Sequence, residues 1–175
     1  MVEGCRAPIC LNALLIYDTI TGHTQRAAED IAAALQADGM QTRLASAKEV
    51  KDWDALDADI VVVGSPCHAG SCRIRGGVSS PIRSLLKRLK PAMLAGKVAG
   101  AFAVNCAYGG HVTVGAIEKV LRAAGARLPE PGVVVRAGVP FSVAVGPMAS
   151  EEARERLREF GRALAEAARA AGGAR

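Results

Sequence analysis

Thr19-Ile20-Thr21-Gly22-His23-Thr24 gathers three hydroxyls and a glycine in six residues, between an apolar run and the start of a helical pattern. The first N–H groups of a helix have no partner inside it, so such a loop forms a small concave site for an anion, with phosphate the obvious guest. It contains no lysine, so it is neither a Walker loop ending in Gly-Lys-Ser/Thr nor the Gly-x-Gly-x-x-Gly dinucleotide turn.

The other residues able to do chemistry lie on later loops. His23, His68 and His111 all fall where strands are expected to end. Five cysteines stand at 5, 10, 67, 72 and 106. A strand of about seven residues at ~3.3 Å each separates Cys10 from the other end of its sheet by more than about 20 Å, so one chain cannot gather all five thiols round one metal. Cys67, Cys72 and Cys106 could still ligate a metal or form a redox disulfide beside a histidine; the plainer reading is small packing residues. Arg73, Arg75 and Gly76-Gly77 suggest a loop that closes on a carboxylate or phosphate.

Charge is unevenly spread. Residues 60 to 117 hold seven basic side chains, Arg73, Arg75, Arg83, Lys87, Arg88, Lys90 and Lys97, and no acid, within a chain of net charge +5. That stretch should carry a positive field and suit an anionic substrate or an acidic protein. Only 3% of the residues are aromatic, and no recognition motif appears, so nucleic-acid binding is not expected. No apolar run approaches the roughly 20 residues of a membrane span. The N-terminus does not read as a secretory signal, so the expected compartment is the cytoplasm, where the thiols stay reduced.

Half the 175 residues are apolar, and the length suits one domain of roughly 150 residues: a unit over 1–175, with 1–10 as an extension and 172–175 as a tail. Apolar runs at Leu11 to Tyr17, Ile60 to Val63, Val98 to Val104 and Val133 to Val135 fit strands buried on both faces, and a further strand should cover about Gln41 to Ala45. Helical stripes lie between them. One holds Ala28, Ile31 and Leu35 and stops at Gly39; another runs from Ile82 to Leu89 and ends at Pro91; a third holds Ile117, Val120 and Leu121 and stops at Gly125. The last opens at Ser150 with Glu151 and Glu152 and closes at Gly172-Gly173. Alternating strands and helices predict a doubly wound α/β sheet that binds ligands beyond its strand C-termini.

The loop at 19–24 resembles the phosphate loop of the flavodoxin family, Thr/Ser-x-Thr-Gly-x-Thr, at every fixed position. Asp59 to Gly70, Asp-Ile-Val-Val-Val-Gly-Ser-Pro-Cys-His-Ala-Gly, looks like the family's third strand and its first flavin loop. Gly96 to Val104 looks like its fourth strand, and Tyr108-Gly109-Gly110-His111 is similar to the second flavin loop of flavodoxin-like quinone reductases. Gly146-Pro147 before an acidic helix start is also usual there. The resemblance covers about residues 11 to 170. It implies a flavodoxin-like α/β fold, a three-layer sandwich on a five-stranded parallel sheet in the order 2-1-3-4-5.

It also implies FMN as cofactor. The phosphate would lie on Thr19, Thr21, Gly22, His23 and Thr24, with Ile20 in the same loop. The ring would lie between Pro66, Cys67, His68, Ala69 and Gly70 on one side and Asn105, Cys106, Ala107, Tyr108, Gly109, Gly110 and His111 on the other. His68, ahead of His111, would be the catalytic residue, giving a proton or hydrogen bond where negative charge accumulates on reduced flavin or a bound quinone. Trp53 lies far upstream, Tyr108 is the sole aromatic in a flavin loop, and the surroundings are basic. Flavodoxins that only carry electrons commonly stack Trp and Tyr on the flavin amid acidic residues. The expected function is therefore an FMN redox protein: electron transfer with an acidic redox protein, or NAD(P)H-dependent reduction of a quinone-like or other anionic acceptor. A homo-oligomer covering the thinly shielded ring is compatible. The alternatives are a flavodoxin-like binding or assembly module that has lost FMN, or one with a Cys-bound metal or redox thiols.

Overall fold

The computed structural model describes residues 11–50, 53, 57–67, 77–105, 109–137 and 150–172. Strands β1 (Asn12–Tyr17), β2 (Gln41–Ser46), β3 (Ile60–Pro66), β4 (Val98–Asn105) and β5 (Val133–Arg136) alternate with helices α1 (His23–Ala37), α2 (Ser80–Leu86), α3 (Gly110–Ala123) and α4 (Glu151–Gly172). All strand pairs are parallel, and the order is β2-β1-β3-β4-β5, as expected.

The two-residue period of a strand sorts the apolar runs into two cores. Leu15, Ile60, Val62 and Phe102 point to one face and pack against Ile31 and Leu35 of α1 and Leu157 and Leu164 of α4. Leu14, Ile16, Val61 and Val63 point to the other and meet Ile82 and Leu85 of α2 and Ile117 and Leu121 of α3. Phe102 is fully buried beside Gly64, where an added Cβ would run into its ring. A sheet with so few aromatics makes room for one by placing a glycine on the neighbouring strand.

Helices α1 and α3 end as the sequence suggests. Gly39 and Gly125 each close a helix, with the next residue's N–H donating back to Leu35 O and Leu121 O respectively, both at 3.1 Å. Two elements differ from expectation. Strand β3 continues past Gly64 to Pro66, because Ser65 and Pro66 still lie beside Ala103 and Val104 of β4. Helix α2 ends at Leu86, not at Pro91. The N–H groups of Arg88 and Leu89 reach the carbonyls three residues back, so the chain tightens into a turn that carries Leu89 onto the core. Trp53 is buried under α2, its indole N–H donating to Leu85 O at 3.0 Å.

Candidate functional site

At the carboxyl edge of the sheet, β1 hands over to α1 through Thr19–Gly22. Gly22 is the helix N-cap at φ 84°, a left-handed conformation that glycine adopts without penalty, and its N–H donates to Thr19 Oγ1 at 2.9 Å. No side chain caps α1, and its first turn holds no acid. Thr24 is buried, Thr19 and His23 are half-buried, and Ile20 and Thr21 are exposed. Helix α3 starts in the same way: Gly109 is its N-cap at φ 88°, again with no capping side chain and no acid in the first turn. Helix α4 is the contrast. Ser150 Oγ accepts from Ala153 N–H at 3.3 Å, and Glu151 and Glu152 occupy its first turn. Its dipole is answered by the chain itself, whereas those of α1 and α3 meet no capping side chain or first-turn acid among the described residues.

The strands between these helices carry buried polar groups. Ser65 Oγ accepts from Ser79 N–H at 3.0 Å and donates to Pro66 O at 2.9 Å. Ser79 Oγ and Asn105 Oδ1 are buried and have no hydrogen-bond partner among the described residues. Leaving such an atom unsatisfied costs about 1–3 kcal/mol, so each has bonding capacity that a ligand or water can take up. Asn105 ends β4, its carbonyl accepting from Ala137 N–H at 2.9 Å. It lines a pocket of about 400 Å³ with Gly109, Gly110, His111, Arg136 and Arg156. Gly110 sits so close to β5 that an added Cβ would run into Val134. Asp18, at the end of β1, is buried with Lys48 Nζ at 3.8 Å. Burial, then Glu29 and Glu49, pushes the Tyr17 phenol above its ordinary value.

Of the expected site residues, Thr19, Ile20, Thr21, Gly22, His23, Thr24, Pro66, Cys67, Asn105, Gly109, Gly110 and His111 all lie at this one edge. His68, Ala69, Gly70, Cys106, Ala107 and Tyr108 lie outside the described residues, as do Cys5, Cys10, Cys72, Arg73 and Arg75. Cys67 is a half-buried free thiol whose N–H donates to Val104 O at 2.8 Å. Among the described residues no cluster of three or more His, Cys, Asp or Glu is arranged for a metal. Sequence reasoning passed over Ser79, Asp18, Arg136 and Arg156. Ser79-Ser80-Pro81 is a readable helix start, with the proline in the first turn of α2; the two arginines carry no local signal.

Residues 15–141 match the family model described as Flavodoxin. The chain belongs to the flavodoxin family. It is 32% identical over 161 residues to a curated flavodoxin of Aquifex aeolicus (strain VF5), a match covering 87% of this chain and 84% of that one. Among solved structures, oxidised flavodoxin 2 from Bacillus cereus superposes with a TM-score of 0.73 at 24% identity, covering 89% of this chain and 98% of that one. Rubredoxin oxygen:oxidoreductase from Desulfovibrio gigas superposes with a TM-score of 0.72 at 20% identity; the match spans 91% of this chain but 36% of that larger one.

Flavodoxin family proteins bind FMN, and this chain is an FMN-binding electron-transfer protein. The residues present fit that cofactor. An uncapped helix start without acids answers a phosphate, and two buried polar atoms without partners, Ser79 Oγ and Asn105 Oδ1, flank the ends of β3 and β4. No helix among the described residues is long and apolar enough to cross a membrane.

Proposed function

We propose that the loop Thr19–Thr24 holds the FMN phosphate and that the ring lies over the ends of β3 and β4, between Pro66–Gly70 and Asn105–His111. When bound, FMN supplies reversible electron uptake at its ring. The protein's part is to bind and orient. Backbone N–H groups at the start of α1, with the hydroxyls of Thr19, Thr21 and Thr24, hold the phosphate. N–H groups at the start of α3 and the Asn105 amide meet polar edge atoms of the ring, and His68 gives a proton or hydrogen bond there. The observation that carries this reading is the pair of uncapped, acid-free helix starts, each behind a left-handed glycine, at one sheet edge.

The electron-transfer role is completed by a soluble acidic redox partner. A second reading, reduction of a quinone-like acceptor by NAD(P)H, is favoured by the pocket between α3 and α4, where Arg136, Arg156 and His111 outnumber the single carboxylate of Glu152 and offer cationic or donor groups to a nucleotide phosphate. Anaerobic reductive titration separates the two. Electron uptake in two resolved steps with negligible NAD(P)H turnover supports the carrier; rapid oxidation of NAD(P)H with a quinone supports the enzyme. The phosphate placement is tested with Thr21→Val/Thr24→Val. Losing two hydrogen bonds to a charged group, at about 1.5–3 kcal/mol each, predicts FMN affinity weaker by at least about a hundredfold with the fold intact. Unchanged affinity refutes the placement.

A further inference from the structure

The pocket of about 400 Å³ at the carboxyl edge of the sheet has two walls. Asn105, at the end of β4, and Gly109 to His111, at the start of α3, form the wall nearer β3, where the ring is proposed to lie. The other wall stands one strand further out, because β5 follows β4 in the sheet order. It is built by Arg136, the last residue of β5, and by Glu152 and Arg156 of α4. No part of the proposed flavin site lies on it.

Helix α4 divides its charges between two sides. Arg154 and Arg158 turn to Asp30 of α1, at 3.0 and 4.0 Å. Positions two residues away fall on the opposite side of a helix, and positions four apart share a side, so Glu152 and Arg156 together line the pocket instead. Arg136 and Arg156 are both exposed, and neither makes an ion pair or side-chain hydrogen bond with a described residue. Glu152 is the one carboxylate among the described lining residues, and no ion pair joins it to Arg156. Val134 and Val135 add apolar surface, and His111 faces the arginines from the other wall.

Two guanidiniums offer planar forks that fit the oxygens of a phosphate. Set against one carboxylate, they match a phosphomonoester, which carries a charge of about −1.5 to −2 at neutral pH. Glu152 would repel a second anion but can accept from a hydroxyl. Nucleotide sites use this same division, an acid for ribose hydroxyls and an arginine for a 2′-phosphate. The volume lies within the range of about 300–1,000 Å³ usual for small-molecule sites.

We propose that the β5/α4 wall binds a phosphomonoester carried on a ribose, with Arg136 and Arg156 on the phosphate and Glu152 on a sugar hydroxyl. Such a group belongs either to the 2′-phosphoribose of NADPH or to a free sugar phosphate. Only the first source rests on the NAD(P)H reading above; the site itself requires neither that reading nor the placement of FMN.

The test uses FMN-loaded full-length protein, with ribose 5-phosphate as probe followed by calorimetry and by amide shifts in labelled protein. Shifts are expected at Val134 to Arg136 and Glu152 to Arg156, and not at Thr19 to Thr24. Losing a hydrogen-bonded guanidinium should weaken the probe by at least about tenfold in Arg136→Gln and in Arg156→Gln, with the fold intact. The native protein should prefer ribose 5-phosphate to methyl phosphate by at least about threefold, and Glu152→Ala should narrow that preference. Nucleotides separate the sources. NADPH bound at least about tenfold more tightly than NADH, with the difference erased in Arg136→Gln/Arg156→Gln, assigns the site to the nicotinamide nucleotide. Equal binding of the two, with ribose 5-phosphate still held by the arginines, refutes that source and assigns the site to a free sugar phosphate. If the protein takes up no FMN, the flavin reading fails and the same probe and variants still decide the pocket. The proposal is overturned if ribose 5-phosphate does not bind, if both arginine variants bind it unchanged, if its shifts fall on Thr19 to Thr24, or if inorganic sulfate binds as tightly. It is also overturned if the arginine variants weaken FMN rather than the probe, which would make this pocket the seat of the flavin phosphate.

Discussion

Arg154 of α4 grips Asp30 of α1 with two nitrogens, Nη2 to Oδ1 at 3.0 Å and Nε to Oδ2 at 3.2 Å. The pair ties together the two helices that cover one side of the sheet, one of which begins at the proposed phosphate loop. The contact holds the Arg154 guanidinium above its ordinary pKa. Because Asp30 is buried, Arg154→Ala strands a carboxylate whose other ion pair among the described residues, with Arg158, is as long as 4.0 Å. The thermal midpoint should fall for Arg154→Ala and for Asp30→Ala, and the double variant should lose less than the sum. A double-mutant cycle measures this, and strict additivity would show that the pair contributes nothing.

Gly110 and Gly22 should respond differently to alanine. At Gly110 a Cβ meets Val134, so Gly110→Ala should cost about 1–3 kcal/mol as overpacking does, and Val134→Ala should restore much of it. At Gly22 nothing lies within 4 Å of the added Cβ, and the cost is the left-handed backbone alone, about 1–2 kcal/mol. No second-site change in side-chain volume should rescue Gly22→Ala. Denaturant unfolding of the four variants checks both statements.

Tyr17 governs part of the alkaline behaviour. Its folded pKa lies above the unfolded phenol value of about 10, with burial the main cause. Its contribution to stability is fully present below about pH 10 and is lost as pH rises through the folded value. The chain has two tyrosines, so Tyr108→Phe leaves Tyr17 as the only phenol. Ultraviolet titration of that variant should show ionisation above about 10; a midpoint at or below the ordinary value contradicts the burial.

Glu155 acts at the other end of the scale. Hydrogen bonds from Arg158, then Arg162, hold its carboxyl below the usual value. The stability it contributes is present above the unfolded carboxylate pKa, about 4.3, and is lost as pH falls through the folded one. Glu155→Gln should flatten the acid limb of the stability curve while leaving neutral pH little changed, because the pair is exposed and screened by salt. Thermal scans at stepped pH test this.

Much of this architecture was legible in short stretches. Strands buried on both faces must be almost continuously apolar, so Ile60 to Val63 and Val98 to Val104 declare themselves, and period-2 burial follows from strand geometry. Gly39 and Gly125 announced helix ends, and the hydroxyl-glycine loop at 19–24 announced the start of α1. The less legible features were those set by neighbours. Nothing local separates Gly64 from the end of β3; Ser65 and Pro66 extend the strand because β4 lies beside them. The stripe Ile82 to Leu89 looks like one long helix, yet α2 stops at Leu86 because a turn can place Leu89 on the same core.

By itself, then, the sequence determined the element types, the parallel α/β class and the loop proposed to meet phosphate, because these depend on residue periodicity, glycine conformation and helix-end chemistry over a few positions. The tertiary structure alone decided which charges meet. The acids and bases of α1 and α4 were visible in the chain, but that Asp30 meets Arg154 and Asp38 meets Arg169 depends on which helices share a sheet face. Ion pairs form between side chains a few ångströms apart, and for Asp30 and Arg154 that proximity is created only by folding.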